Sequence, residues 1–274
     1  MVEAGPVRSV VRVVRKFNLS TVTQDVVLER DSRRVDFITH VDWQERQRML
    51  KTAFYPDVLS SKATYEIQFG SIERPTHWNT SYDKARFEVC GHKWADLSEG
   101  MYGVSLLNDC KYGYDIKDNC MRLTLLRATV YPDPDGDRGE HDFVYSIYPH
   151  DGDWRTGETV REAYRLNVPL MASVGRAGAD ATTAAANRSF AAIHGAGAVI
   201  DTIKGAEDGD GMILRVYESK GARGQVVVEF GFPLKDASEC NLMEDYERDI
   251  PVDCGRLCFD MKPYEIKTFR IHKA

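Results

Sequence analysis

A chain of 274 residues can bury a large core, and an all-β sandwich of that length can be a single domain. Hydrophobic residues make up 43% and charged residues 28%, the balance of an ordinary soluble fold, and the net charge of −6 disfavours nonspecific binding to nucleic acid. No apolar run approaches the roughly 18 residues of a membrane span. Arg8, Arg12, Arg15 and Lys16 interrupt what would be the apolar core of a signal peptide, so the expected location is cytoplasmic.

The chain opens on strands. Val7 to Phe17 and Leu19 to Glu29 are both rich in β-branched residues, with Asn18 as the turn between them. A sheet that begins almost at residue one leads to the expectation of a chain cut from a longer one. Val35 to Trp43 and Leu50 to Val58 are the next strands, joined by the charged link Gln44 to Arg48. Long strands with short links favour an antiparallel meander.

The stretch Thr64 to Trp154 carries most of the information. Apolar residues alternate in Tyr65 to Phe69 and in Phe87 to Cys90, the period of a half-buried strand. Two polar turns interrupt it, Asn108 to Gly113 and Asp133 to Asp142. Gly157 to Leu166 is the best helix candidate, ended by Asn167-Val168-Pro169. Ala172 to Asn187, small and weakly patterned, is expected to be a long surface loop. Strands resume at Ala198 to Ile203 and Met212 to Tyr217, linked by a turn at Glu207 to Gly211, and the last two are Gln225 to Phe230 and Tyr264 to Ile271. The fold class that follows is mainly β: a large antiparallel sandwich with one short helix and long loops.

Candidate chemistry is sparse. Cys90, Cys110, Cys120, Cys240, Cys254 and Cys258 show no CxxC spacing, and no second pair or nearby histidine completes a metal site with Cys254 and Cys258. Free thiols in a reducing compartment are expected, against a structural disulfide or a metal. Asp133, Asp135 and Asp137 imitate a calcium loop, but Val144 stands where an EF-hand needs glutamate, and Pro134 separates the first two acids. His77, His92, His141 and His150 have no helical i, i+4 spacing and read as structural. Trp78, Trp94 and Trp154 could stack on sugar rings or fill a core. In Asn108-Asp109-Cys110-Lys111-Tyr112-Gly113, a carboxylate stands beside an amide, able to accept from and donate to hydroxyls, and Tyr112 adds a ring face and a phenol; the alternative is a polar hairpin tip.

Five segments carry a family likeness: ERPTHWNTS (73–81), FEVCGHKWADLSE (87–99), YGVSLLNDCKYGYD (102–115), DRGEHDFVYSIYPH (137–150) and AEDGDGMILRVYE (206–218). In this order they resemble the C-terminal β-domain of the family 38 glycoside hydrolases, the α-mannosidases, and most nearly the cytosolic and bacterial branch. The resemblance implies a supersandwich of the galactose mutarotase-like type. It implies one β-domain over residues 1–274, with the strands from about Val226 onward as a candidate small appended sheet, and with the N-terminal catalytic barrel absent from this chain. It implies a parent retaining glycosidase with a carboxylate nucleophile and a second carboxyl as acid and base, and zinc held in the missing catalytic domain. No catalytic residue, metal ligand or cofactor of this chain follows from it. Asn108, Asp109, Lys111 and Tyr112 match a turn at the edge of the sugar pocket. The implied partners are a mannose-containing oligosaccharide and the chain's own catalytic domain, with no nucleic acid and no membrane. Alone, the domain is expected to be inactive. The alternatives are a free-standing carbohydrate-binding β-sandwich and, more remotely, an aldose epimerase.

Overall fold

Val35–Trp43 is a strand over those same residues, and the flanking runs follow it closely. The computed structural model describes residues 1–174 and 189–274. The expected loop from Ala172 to Asn187 falls, but for its first three residues, outside the described ones. In chain order the first strands are β1 (Glu3–Ala4), β2 (Arg8–Phe17), β3 (Ser20–Glu29), β4 (Val35–Trp43), β5 (Arg48–Phe54), β6 (Lys62–Ile67) and β7 (Gly70–Pro75). After the short helix α1 (Ser81–Ala85) come β8 (Val89–Cys90), β9 (Trp94–Ser98), β10 (Tyr102–Asn108), β11 (Gly113–Lys117), β12 (Cys120–Ala128), β13 (Gly139–Asp151) and helix α2 (Thr159–Asn167).

The described residues divide into two compact units, Met1–Gln68 with Ile72–Leu170, and Phe69–Ser71 with Met171–Ala274. The first is built on a nine-stranded sheet in the order β1-β2-β3-β4-β13-β10-β9-β6-β7, and a four-stranded sheet β5-β12-β11-β8. The pairings β2–β3, β3–β4, β4–β13, β13–β10, β5–β12 and β12–β11 are all antiparallel, and short links join β2, β3 and β4 in turn. One face of each sheet meets the other. Val41, Trp43, Tyr65, Leu97, Leu106, Phe143 and Tyr145 come from the larger sheet, and Tyr114, Ile116, Met121 and Leu123 from the smaller. Side chains alternate along a strand, so Trp94 and Asp96 on β9 leave the opposite face from Ala95 and Leu97.

That opposite face is where α2 docks. Nine residues are too few for a helix to stand alone, so its stability comes from packing. Thr159, Val160 and Ala163 are buried beneath it, and Thr159 Oγ1 lies 2.7 Å from Ser105 Oγ. Ser105 in turn donates to Asp96 Oδ2 at 2.8 Å, and His150 Nε2 lies 2.8 Å from the same oxygen. The helix ends at Val168, where the Asn-Val-Pro sequence predicts its stop.

The single helix expected from sequence has a second beside it. α1 is one turn, made by a reciprocal capping box in which Thr80 Oγ1 accepts from Asp83 N at 3.1 Å and Asp83 Oδ2 accepts from Thr80 N at 3.1 Å. Leu50 to Val58 also ends early, at Phe54. Pro56 has no N–H to give to the ladder.

The second unit contains β14 (Ala191–His194), β15 (Ala198–Gly205), β16 (Met212–Glu218), β17 (Gly224–Phe230), β18 (Leu234–Cys240), β19 (Tyr246–Ile250), β20 (Val252–Asp253), β21 (Arg256–Met261) and β22 (Ile266–Lys273). They form sheets β14-β17-β21-β20 and β15-β16-β22-β18-β19. Leu214, Val216, Val226, Val228, Leu257, Phe259, Phe269 and Ile271 make its core, with the Phe259 and Phe269 rings 4.5 Å apart. Glu218 is buried and accepts from three backbone N–H groups, those of Lys220, Gly221 and Tyr264, at 2.7 to 3.0 Å. Three donors on one carboxylate replace the water it gives up.

Candidate functional site

The turn between β10 and β11 is organised from within by Asn108. Its Nδ2 donates to His92 O at 2.9 Å and also to the Tyr114 hydroxyl, while its Oδ1 accepts from Lys111 N at 2.5 Å. Tyr114 OH donates to the same His92 carbonyl at 2.9 Å, and burial pushes its phenol well above the ordinary range. Asn108 is thus a buried strut. Its amide is committed to the β8–β9 link and to its own turn, and the residue is 1% exposed.

Asp109 closes the turn from the other side. Its N donates to Val144 O at 3.1 Å, and its Oδ2 accepts from Val144 N at 3.0 Å, which prolongs the β10–β13 pairing by one step. The Cys110 thiol is pushed up to about 11, first by burial and then by its hydrogen bond to Asp109. Lys111 Nζ sits 4.4 Å above the Phe143 ring. Tyr112 is 59% exposed and meets the edge of His92, ring centroids 5.7 Å apart.

The structure therefore separates the four sequence candidates. Asn108, Asp109 and Tyr112 border one recess of about 130 Å³, together with His92, Lys93 and Asn167. Lys111 does not line it. Lys93 Nζ is 2.9 Å from the buried Glu66 carboxylate and 4.7 Å from the Tyr164 ring. Asn167, the last residue of α2, donates to Asn108 O at 3.0 Å and to Ala163 O at 2.9 Å, which pins the helix end over the turn. At roughly 30 Å³ per water, the recess has room for about four waters. It can receive one or two hydroxyls of a sugar, and it cannot enclose a ring.

The other sequence candidates are occupied with structure. Asp135 N donates to Asp133 Oδ1 at 3.0 Å, Arg127 N to Asp137 Oδ2 at 2.5 Å, and Arg46 and Arg138 both reach Asp135. Among the described residues no three His, Cys, Asp or Glu side chains are grouped so as to hold a metal ion. Trp94 and Trp154 are 1% and 2% exposed and pack on each other at 4.9 Å. Trp78 is 39% exposed, and Lys117 Nζ covers one face of its ring at 4.3 Å.

Residues 1–135 match the family description "Glycosyl hydrolases family 38 C-terminal domain", and residues 197–269 match "Glycosyl hydrolases family 38 C-terminal beta sandwich domain". The chain belongs to the C-terminal region of glycoside hydrolase family 38. Within that family, it is 41% identical to α-mannosidase G of Dictyostelium discoideum over 98% of this chain and 26% of that protein. It is 39% identical to α-mannosidase 2C1 of Homo sapiens over 90% of this chain and 24% of that protein. The family 38 chain thus spans about a quarter of the length of the curated relatives it matches. A solved α-mannosidase from Enterococcus faecalis V583 has the same fold, with a TM-score of 0.77 at 17% identity, over 92% of this chain and 29% of that one. The mainly β, antiparallel supersandwich expected from sequence is the fold of this family 38 region. No helix among the described residues is long and apolar enough to cross a membrane.

His92, Lys93 and Asn167 were not singled out as site residues from sequence. His92 and Lys93 lie within one of the matching segments, so a signal was there. Asn167 had only its part in the helix stop.

Proposed function

We propose that residues 1–274 are the C-terminal β-domain of a cytoplasmic α-mannosidase of the cytosolic and bacterial branch. In this reading the domain packs on its own N-terminal catalytic domain and forms one edge of the pocket for a terminal α-linked mannose. The observation that carries it is the recess beside the Asp109–Tyr112 turn. A shallow polar notch walled by a phenol, an imidazole, a carboxylate and an amide suits part of a sugar, with the remaining contacts supplied from elsewhere.

Beyond its bonds to Val144 N and the Cys110 thiol, the Asp109 carboxylate has lone pairs with which to accept from a hydroxyl. Tyr112 offers a ring edge and a donor. Asn108 acts through the shape of the turn, and Lys111 through its packing on Phe143. Among the described residues no three His, Cys, Asp or Glu side chains are grouped so as to fit zinc, and His150 and His40 are each paired with one carboxylate, Asp96 and Asp142. Zinc and the two catalytic carboxyls would belong to the catalytic domain. A free-standing carbohydrate-binding module fits less well, since two of the three candidate tryptophans are core residues.

The test is steady-state kinetics of the native-length polypeptide on an α-mannoside. Tyr112→Ala should raise KM several-fold with the fold intact. Unchanged KM and kcat in both Tyr112→Ala and Asp109→Asn would remove the recess from the substrate site.

A further inference from the structure

The margin of the nine-stranded sheet is open along most of β2. β1 pairs only Glu3 with Val10 and Ala4 with Ser9, and among the described residues no strand lies beyond Val11 to Phe17 on that side. Backbone groups of successive residues face alternate neighbours. Arg8 O accepts from Gly5 N and Val10 O from Val2 N, while Val7 O accepts from Arg30 N on the β3 side. The N–H and C=O groups of Arg12, Val14 and Lys16 therefore point outward, with no ladder to complete.

The side chains along this margin are equally unfinished. Val14 and Phe17 are 55% and 46% exposed, and Val11 is exposed beside them. Edge strands are commonly guarded by charge. Here the charge has one sign, because Arg8–Phe17 holds Arg8, Arg12, Arg15 and Lys16 and no acidic residue. Arg8 pairs with Glu3 and Arg12 with Asp25, each within 3.0 Å. Arg15 reaches the neutral Gln24 at 3.4 Å, and among the described residues neither Arg15 nor Lys16 has a carboxylate partner. A second copy of the chain is a poor occupant, since β2 against β2 would bring like charges together.

We propose that β2 accepts one further strand, an acidic extended segment supplied by the remainder of a longer α-mannosidase polypeptide. The proposal rests on the functional reading above for the source of that segment. Main-chain hydrogen bonds to Arg12, Val14 and Lys16 would supply the pairing, and the cationic margin would select an acidic sequence. A strand this short pairs weakly from free solution. Tethering in one polypeptide raises its effective concentration to the millimolar range, on the order of what such pairing needs.

The test is amide hydrogen exchange read residue by residue. The probe is an end-blocked octapeptide of alternating Glu and Val, added at low salt to the chain. Exchange at Arg12, Val14 and Lys16 should slow progressively as the peptide is raised through the millimolar range, on the order of what such pairing needs, with Val11 and Val13, already paired to β3, unchanged. Val14→Pro should abolish the effect, since it removes an outward N–H and leaves the β2–β3 ladder whole; unchanged exchange at Val13 reports the intact fold. In the native-length polypeptide the same three amides should be protected with no peptide added. The proposal is overturned by no protection, by equal protection from a Lys/Val octapeptide, or by a dimer that protects these amides without peptide. It is also overturned if the native-length polypeptide exchanges there as fast as the isolated chain. Failure to hydrolyse α-mannosides would refute the functional reading and leave this exchange pattern standing.

Discussion

Asn108 Nδ2 donates to His92 O at 2.9 Å, and through that bond the β10–β11 turn is hung from the link between β8 and β9. The same amide group is held to the Lys111 N–H by its oxygen. Replacing Asn108 with Ala strands the Lys111 donor and relaxes the turn. The expected cost is about 1–3 kcal/mol of stability, read as a lower urea midpoint with an unchanged slope. Asp109→Asn keeps an acceptor for Val144 N and should stay within about 0.5 kcal/mol of the parent.

His150 is clasped by two glycines. A Cβ built at Gly157 would fall 2.4 Å from His150 Cγ, and one built at Gly103 would fall 2.4 Å from His150 Cε1. Those approaches are far inside contact distance, and both ring and backbone are buried. Gly157→Ala should therefore cost about 1–3 kcal/mol through overpacking. The penalty should shrink when His150 is also replaced by Ala, an interaction that a double-mutant thermal-denaturation cycle would measure.

Glu239 gives the second unit an acid limit. Burial alone would raise its carboxyl, but hydrogen bonds from Lys267 and Arg248 outweigh burial and hold it below the ordinary range. Lys267 Nζ and Arg248 each approach it to 2.5 Å. A carboxyl depressed in the fold contributes stability above its unfolded pKa and loses it as pH falls through the folded one. Denaturation midpoints should drop from about pH 4.5 downward, and Glu239→Gln should flatten that limb while lowering stability at pH 7.

The buried carboxylate of Glu218 should be less forgiving. It satisfies the N–H groups of Lys220, Gly221 and Tyr264, so Glu218→Ala leaves three donors to find water in a closed site. The expected loss is about 2–4 kcal/mol. It should appear as faster amide exchange at those three residues before any global unfolding.

These cases mark what local pattern can disclose. Val35 to Trp43 and Met212 to Tyr217 were legible because their own apolar spacing determines their burial. β18, Leu234–Cys240, was missed because LKDASEC is mostly polar, and its buried Glu239 is made tolerable by Lys267 on β22 and Arg248 on β19. β21 is not among the strands expected from sequence, although its buried Leu257, Phe259 and Met261 alternate with exposed residues. The Asp109–Tyr112 turn was visible as a polar interruption. Asn167 at its rim was not, since only the docking of α2 brings that residue to Asn108. Lys111 looked as available as Tyr112 until Phe143, on a strand far along the chain, gave it a surface to lie on.

We propose that this chain carries a wall of a sugar pocket whose reactive groups lie in the remainder of a longer polypeptide. The most direct measurement is release of the phenol from a chromogenic α-mannoside by residues 1–274 alone, with and without added zinc. No turnover above the uncatalysed rate is expected under either condition. Zinc-dependent turnover that a substitution at His92, Asp109 or Tyr112 abolishes would contradict it.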